Sequence, residues 1–263
     1  MNAEASISAP GDGAKVSETV LVVDDSRAHR RLMCGTLRRW GFDPLEAEDG
    51  VEALAICERE DIGLVVSDWM MPNKSGPEMI QDLKENRLTS HIPCMLLTAR
   101  ADKDSKLSGY EKGAEAYLTK PFEADEFRLQ VKALIRSRDS IRNYFENTDP
   151  KEDQPSPYDA EAEFMKDVLG LVRERLGESE LNGAKIASGL TVGRSQLARK
   201  IMAISNQTIT QLIRSERISK SKELLREGRL NVSEIAYEVG FTDPAYFSRI
   251  FSQEEGIPPS EFS

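Results

Sequence analysis

The chain has 263 residues, of which 39% are hydrophobic and 30% charged, and its formal net charge is −10. This is an ordinary globular composition with room for two packed domains. No apolar stretch is long enough to cross a membrane, and no basic segment followed by an apolar run marks a secretory signal, so we expect a cytoplasmic protein. The three cysteines, Cys34, Cys57 and Cys94, lack metal-ligand spacing and are predicted to be buried.

After residues 1–17, which we expect to be disordered, short apolar runs alternate with amphipathic stretches as far as Ile141. Five strands are predicted at Thr19–Val23, Asp43–Glu46, Gly63–Ser67, Pro93–Leu97 and Ala116–Leu118. Five helices are predicted at Ala28–Trp40, Val51–Arg59, Gly76–Glu85, Lys103–Lys112 and Ala124–Arg138. This alternation predicts an α/β fold, a doubly wound sheet of five parallel strands with its functional crevice outside the carboxyl ends of the strands.

Polar side chains that can do chemistry follow four of these strands directly. Asp24 and Asp25 follow the first strand, Asp68 the third, Thr98 the fourth and Lys120 the fifth. Each therefore lies at the carboxyl edge of the sheet, where they can converge. Several carboxylates at one point need a cation to stay ionised, and oxygen ligands favour Mg²⁺. A carboxylate beside that metal and an ammonium group can attack phosphorus, because the cations neutralise the developing charge.

The segment Thr19–Arg138 resembles the receiver domain of bacterial two-component response regulators, through the motifs LVVDDS, SDWMMP, LLTAR and AYLTKPF. The resemblance implies a flavodoxin-like fold in which Asp68 accepts a phosphoryl group from a sensor histidine kinase. It also implies a Mg²⁺ site whose ligands are the side chains of Asp24, Asp25 and Asp68 and the backbone carbonyl of Met70.

The same resemblance assigns roles to the last two strands. Thr98 and Tyr117 would form a switch pair, in which the aromatic ring turns inward when Thr98 moves to the phosphoryl group. Lys120 would be the essential lysine, placed before a cis peptide bond to Pro121, and X–Pro is the only peptide bond for which the cis form costs little.

A phosphotransferase of the haloacid-dehalogenase type is the competing interpretation of these side chains. Such enzymes carry an acid/base Asp two residues after the nucleophile, whereas this chain has Met70 at that position. We therefore expect no turnover enzyme. We expect only Mg²⁺-dependent self-phosphorylation and a slow self-dephosphorylation, because Met70 offers no polar group to orient an attacking water.

Residues 143–158 are rich in proline and polar residues and are predicted to link a receiver at 18–142 to a second domain at 159–263. Before the linker, Leu134, Arg138, Ile141 and Phe145 continue the spacing of the last helix, which fits a stalk, a dimer contact or a core-facing stripe. After it, apolar residues recur at helical spacing, which predicts an all-α domain with helix-turn-helix units at Asn182–Ile204 and Val232–Phe251.

Basic residues are concentrated in this second domain. Residues 185–229 contain 10 basic and 3 acidic side chains, although the whole chain is acidic. Such a stripe is typical of proteins that contact nucleic-acid phosphates, and a solvated helical face is the alternative.

The segment Asn231–Phe262 closely resembles the second helix-turn-helix of AraC/XylS-type transcription regulators, through Ile235-Ala236, Gly240-Phe241, Tyr246-Phe247 and the closing Pro259-Ser260-Glu261-Phe262. The first unit matches less well. Thr191 stands where relatives have Gly at the turn, and Gly193 where they have a capping Ser. Asn206 replaces a Gly after the reading helix, which Asn tolerates because it can adopt a positive φ.

If both units dock as in that family, the second helix of each enters a major groove. Base contacts are then predicted for Arg194, Ser195, Ala198 and Arg199 in the first unit and for Pro244, Ala245 and Arg249 in the second. Phosphate contacts are predicted for Gln196, Lys200 and Ser248. Arg199 and Arg249 are the strongest candidates, because a guanidinium group can donate two hydrogen bonds to guanine.

These resemblances imply a phosphorylation-dependent transcription factor, with a sensor histidine kinase, promoter DNA and RNA polymerase as partners and Mg²⁺ as cofactor. A phosphorelay or protein-interaction module whose helical domain does not read DNA is the alternative. Phosphorylation could act by relieving an inhibition or by forming a homodimer, and both mechanisms stay open.

Overall fold

The structure is a computed structural model that describes residues 18–99, 111–147 and 158–262. The predictions for residues 1–17, for most of the helix at Lys103–Lys112 and for residues 148–157 of the linker lie outside the described residues. Elsewhere the predicted strands and helices are present, with ends that differ by a few residues from the predicted ones.

Five parallel strands form the sheet of the first domain, in the order β2-β1-β3-β4-β5. The strands are β1 (Thr19–Val23), β2 (Asp43–Ala47), β3 (Leu64–Asp68), β4 (Cys94–Thr98) and β5 (Ala116–Thr119). Because β1 lies between β2 and β3, the winding reverses there and a crevice opens at the carboxyl ends of β1 and β3. This confirms the predicted doubly wound fold.

Four described helices flank this sheet: α1 (Arg27–Arg39), α2 (Gly50–Cys57), α3 (Gly76–Glu85) and α4 (Ala124–Asn147). The first three begin at polar side chains that accept hydrogen bonds from free backbone amides. Ser26 caps α1, Asp49 caps α2, and Ser75 and Glu78 cap α3 reciprocally. These caps fix the residue at which each helix begins.

Alternate side chains of each strand point to opposite faces of the sheet, where they form two apolar layers. Val20 and Val22 pack on α1 and α4, while Leu21 and Val23 pack on α2 and α3. All three cysteines are buried and unpaired in these layers, as predicted.

Helix α4 extends to Asn147, beyond the boundary predicted at residue 142, so helix rather than linker occupies residues 143–147. Leu134 belongs to the apolar layer of the first domain, and Phe145 is buried in the core of the second. The core-facing interpretation of this stripe is confirmed. Arg138 is 3% exposed, and its guanidinium group lies 3.2 Å from Glu18 and 3.0 Å from Asp61.

The second domain contains helices and no strand within the described residues. The helices are α5 (Asp159–Glu174), α6 (Gly183–Gly189), α7 (Arg194–Ser205), α8 (Ile209–Glu227), α9 (Val232–Glu238) and α10 (Pro244–Glu255), followed by a 3-10 turn at Pro259–Glu261. The pair α6–α7 is the first predicted unit and α9–α10 the second, and α8 joins them. Each pair has its own apolar core.

Polar side chains and a positive φ mark the helix ends in this domain, and the positive φ of Asn206 is as predicted. Asp243 caps α10 through a 2.9 Å hydrogen bond from the Ala245 amide, and Asn206 ends α7 at a φ of 54°. Asn231 caps α9, and its Oδ1 atom accepts hydrogen bonds of 3.0 Å from two amides of the first turn.

His91 precedes β4 and is buried where the two domains meet. Its side chain is 9% exposed, and its Nδ1 atom has no hydrogen-bond partner among the described residues. Burial, together with the nearby cations Lys200 and Arg138, lowers the pKa of the ring well below its ordinary value of 6.5. The ring is therefore neutral in the folded protein.

We expect acid to destabilise the fold through His91. As the pH falls below about 6.5, the unfolded chain gains a proton on this ring that the folded chain does not, so the free energy of unfolding decreases. Denaturant titrations at about pH 7.5 and about pH 5.5 measure how much the free energy of unfolding decreases between the two pH values. The decrease should be smaller for His91→Phe than for the wild type. Leu32→Gln, at a leucine of α1 that is 68% exposed, leaves both histidines in place and is the control, which should behave as the wild type. If His91→Phe shows the same decrease as the wild type, His91 is not the group through which acid destabilises the fold.

Candidate functional site

Asp24, Asp68 and Lys120 meet at the carboxyl edge of the sheet. The Lys120 Nζ atom lies 2.6 Å from Asp68 Oδ1 and 3.2 Å from Asp24 Oδ2. Asp24 is 1% exposed, whereas Asp68 is 18% exposed and open to the solvent. The structure thus brings together three of the side chains predicted to converge here.

The ammonium group of Lys120 is a stable cation in this position. Partial burial disfavours its charged form, but the carboxylates of Asp68 and Asp24 outweigh that effect and raise the pKa of Lys120 above its ordinary value of 10.5. Lys120 can therefore supply positive charge and hydrogen bonds to a ligand on Asp68, and it cannot act as a base near neutral pH.

Backbone and side-chain contacts hold Asp24 in place. Its Oδ1 atom accepts a 2.9 Å hydrogen bond from the Ser26 amide, and the Arg30 guanidinium donates to its backbone carbonyl at 2.7 Å. The His29 Nδ1 atom lies 3.4 Å from the same carboxylate. Asp25 follows as an exposed residue at the start of α1. The contact of His29 was not predicted from the sequence.

The loop after Asp68 depends on a glycine that sequence reasoning also missed. A Cβ atom on Gly76 would lie 2.2 Å from the Asp68 carbonyl oxygen, so no larger residue fits at the start of α3. In the same loop, Asn73 adopts a φ of 61° and its side chain donates a hydrogen bond to Asp49. The signal available in the sequence was the Asn-Lys-Ser-Gly stretch after Pro72, which is rich in turn residues.

The remaining predicted residues of this edge lie around the same crevice. Thr98 is buried at the end of β4, and the ring of half-buried Tyr117 packs edge-on against Trp69 with centroids 6.0 Å apart. Met70 is 65% exposed, and the peptide bond between Lys120 and Pro121 is cis, as predicted.

The donor set at this edge fits Mg²⁺ better than a metal that needs a complete protein cage. Among the described residues, no three acidic, histidine or cysteine side chains are grouped tightly enough to enclose an ion. The side chains of Asp24 and Asp68 do offer oxygens at one point, and Mg²⁺ commonly takes one or two carboxylates and keeps several waters.

In the first helical unit, the predicted DNA contacts divide between two faces of α7. Arg194, Ser195 and Ala198 are exposed. Gln196 and Arg199 are half-buried and Lys200 is fully buried, because these three lie against the first domain. Lys200 therefore cannot touch a phosphate in this arrangement, which differs from the role predicted for it.

In the second helical unit, α10 is accessible along its predicted reading face. Ala245 and Arg249 are exposed, and the Arg249 guanidinium lies over the Tyr246 ring at 5.5 Å. Pro244 and Ser248 are half-buried, and the Ser248 hydroxyl donates a 2.9 Å hydrogen bond to the Pro244 carbonyl within its own helix.

Comparison with known families assigns both halves. Residues 20–132 match the family profile of the response regulator receiver domain, and residues 186–263 match that of a helix-turn-helix domain. The chain joins a receiver domain to a helix-turn-helix domain. Both resemblances found in the sequence are confirmed, and these domains are those of a regulator.

Individual relatives cover different parts of the chain. Histidine kinase P4 of Formosa agariphila is 33% identical over 251 residues, which are 94% of this chain and 18% of that protein. The phosphate regulon transcriptional regulatory protein PhoB of Pseudomonas aeruginosa is 39% identical over 121 residues, which are 46% of this chain and 53% of that protein. The chain thus spans less than two thirds of each.

Among solved structures, the chemotaxis protein CheY4 of Vibrio cholerae is 28% identical to the receiver domain. It covers 45% of this chain and 99% of its own length, with a TM-score of 0.44. Within the described residues, no helix has both the length and the apolar character needed to span a membrane.

The tight turns of the two helix-turn-helix units differ in strain. In the second unit, Gly240 occupies the turn at a φ of 87°, where a Cβ atom would meet the Leu176 carbonyl at 2.4 Å. In the first unit, Thr191 occupies the turn at a φ of 58°. A β-branched residue in the left-handed region is strained, whereas glycine is not.

We therefore expect Thr191→Gly to stabilise the helix-turn-helix domain by about 1 kcal/mol, since it removes the left-handed strain at the cost of some unfolded-state entropy. The same substitution at exposed Thr210, inside α8, should destabilise by about 0.5 kcal/mol, because glycine is a poor helix former. Chemical unfolding of the two full-length variants measures both values. A loss of stability in Thr191→Gly would show that the turn carries no strain.

Proposed function

We propose that the chain is the response-regulator part of a two-component system, in which phosphorylation of Asp68 by a sensor histidine kinase controls sequence-specific DNA binding and transcription by the helix-turn-helix domain. The observation that carries this proposal is the contact of one ammonium group, that of Lys120, with both Asp68 and Asp24 at the carboxyl edge of the receiver sheet.

The proposed chemistry is an in-line phosphoryl transfer. A carboxylate oxygen of Asp68 forms a bond to phosphorus while the bond from phosphorus to the donor's histidine nitrogen breaks, and the electron pair leaves with the imidazole. Lys120 neutralises negative charge on the phosphoryl oxygens. Asp24, Asp25, Asp68 and the Met70 carbonyl would hold Mg²⁺, which supplies further positive charge when bound.

The proposed response to phosphorylation uses the last two strands. The Thr98 hydroxyl donates a hydrogen bond to the new phosphoryl group, and Tyr117 turns into the space that Thr98 leaves. The acyl phosphate is lost slowly, because the side chain at position 70 is an exposed methionine that cannot orient a water. The partners that complete the proposal are promoter DNA, RNA polymerase and a second copy of the chain, in the cytoplasm.

We expect the full chain to become phosphorylated on incubation with acetyl phosphate and Mg²⁺, and to keep the phosphoryl group for longer than seconds. Asp68→Asn should abolish the modification because it removes the nucleophile, and Lys120→Met should reduce it about 100-fold or more because it removes a cation from the transition state. Phosphate-affinity gels and intact mass measure the product.

Asp43→Asn, at an exposed aspartate on β2, is the matched control and should be modified like the wild type. Modification of Asp68→Asn at the wild-type rate would remove the phosphoacceptor assignment, and loss of the phosphoryl group within seconds would contradict slow hydrolysis.

Selection from random-sequence DNA with the phosphorylated chain should enrich a motif that contains guanine. Arg249→Ala should relax the motif at that guanine, at a cost of about 1–3 kcal/mol, because the exposed guanidinium can donate two hydrogen bonds to the base. Arg136→Ala, at an exposed arginine of α4, is the control and should select the wild-type motif. If no motif is enriched, the helical domain does not read DNA, and the chain is better described as a phosphorelay or protein-interaction module.

A further inference from the structure

The receiver packs against one flank of α7 through a surface that we name the docking face, formed by Glu58, Arg87, Leu88, Ser90 and His91. Leu88 packs against the apolar core of the helix-turn-helix domain. At the edge, the Arg87 guanidinium lies 2.6 Å from the Asp167 carboxylate of α5. The contact therefore combines an apolar patch at Leu88 with a charged pair at its margin.

A buried ammonium group occupies the middle of this contact. Lys200 is fully buried, and its Nζ atom donates hydrogen bonds to Ser90 Oγ at 2.8 Å and to Glu161 Oε1 at 3.3 Å. Ser90 Oγ also lies 2.9 Å from Glu161 Oε1, so the three groups form one network. Burial lowers the pKa of Lys200 to about 8, although the carboxylate of Glu161 acts in the opposite direction.

Two further contacts fix the register of α7 on the receiver. The Arg199 guanidinium donates a hydrogen bond to the backbone carbonyl of Glu58 at the end of α2. From α4, the Arg142 guanidinium donates to the Ala203 carbonyl at 3.0 Å. The two basic side chains that α7 carries on this flank, Arg199 and Lys200, are thus both used by the receiver.

The dimensions of DNA decide what this contact excludes. A helix with its side chains is about 10–12 Å across, and the major groove is about 12 Å wide, so both flanks of an inserted helix lie against phosphate backbones. The receiver fills the space beside one flank of α7. The exposed face with Arg194, Ser195 and Ala198 then cannot reach the floor of the groove, although it faces the solvent.

Among the residues that the structure describes, nothing of the receiver covers the second unit in this way. Arg249 and Ala245 are exposed, and the apolar core under α10, built from α8, α9, α10, Phe241 and Phe262, includes no described residue of the receiver. The two reading helices are therefore unequal with respect to the receiver.

We infer that the docking face and DNA compete for the same flank of α7, so that the docked chain can insert only its second unit into a major groove. This inference rests on the proposed function, because it presupposes that both units can read DNA once they are free. It adds that the receiver acts directly on the first unit and leaves the second accessible.

The test uses the full chain, kept free of phosphodonor, with the DNA motif selected by the phosphorylated chain. We expect the wild type to protect only the part of the motif that lies under the second unit in hydroxyl-radical footprints. Leu88→Glu places a charge in the apolar patch of the docking face, and Ser90→Ala removes an acceptor from the Lys200 ammonium. Both variants should also protect the part of the motif that lies under the first unit. Both should bind the DNA about tenfold more tightly than the wild type.

Leu32→Glu makes the same substitution at a leucine of α1 that is 68% exposed, and it should leave the footprint unchanged. In the absence of DNA, acetylation of lysines followed by mass spectrometry measures whether the two domains are docked. Lys200 should react far more slowly than exposed Lys166 in the wild type and at a comparable rate in Leu88→Glu. Should Leu88→Glu lose its circular-dichroism signal, Ser90→Ala carries the test.

Each remaining outcome decides the matter. Rapid labelling of Lys200 in the wild type would overturn the docked arrangement. Labelling that rises in the variants without any change of footprint would overturn the competition with DNA. If neither the wild type nor any variant protects the DNA, phosphorylated or not, the proposed function itself is wrong. The labelling of Lys200 would still report whether the two domains dock.

Discussion

The burial of the Lys200 ammonium group is the constraint on which the arrangement of the two domains depends. A charged amine removed from water is costly unless it is paired and hydrogen-bonded. Its own domain supplies the Glu161 carboxylate and the face of the Phe164 ring, and the receiver supplies the Ser90 hydroxyl. A domain contact that includes such a group is specific, because the ammonium must meet its partners. The contact is also weak, because much of the attraction between the ammonium and its partners only offsets the cost of desolvation. That combination suits a contact that must form in one register and also open.

The docking face and the phosphoacceptor site lie at opposite ends of the same strands. Ser90 and His91 precede β4, whereas Thr98 ends it and Asp68 ends the neighbouring β3. Five residues of strand separate the two ends by roughly 16 Å, so a group on Asp68 does not touch the docking face directly. Helix α4 does connect them. It begins at Ala124, just after Lys120, and near its carboxyl end Phe145 is buried in the core of the helix-turn-helix domain.

The receiver could be predicted almost completely because its chemistry follows the order of its strands. A parallel sheet gathers the residues after its strands at one edge, so Asp24, Asp68 and Lys120 could be placed together from spacing alone. Gly76 and Asn73 could not, since their importance depends on backbone approach and positive φ that appear only in three dimensions. For the helical domain, Gly240 signalled a turn, whereas Thr191 adopts the equivalent turn against its own preference.

The fate of Lys200 shows a different limit of sequence reasoning. Its position on α7 matched a phosphate contact, and its charge fitted a basic stripe on an acidic protein. What places it against Ser90 is the extension of α4 past the predicted boundary, which brings the receiver to the flank of α7. Tertiary contacts between domains leave no local pattern in either segment.

The two reading helices carry different side chains, and this difference decides how docking changes DNA binding. On α10 the accessible reading face offers Arg249 and the small apolar Ala245, so it can distinguish few bases by hydrogen bonding. On α7 the candidates include Arg194, Ser195 and Arg199, which carry more donors. The receiver therefore covers the unit with the greater capacity to discriminate. Under this arrangement, docking would lower the sequence specificity of the chain more than its general attraction to DNA, because Lys220 and Arg226 of α8 stay exposed to solvent.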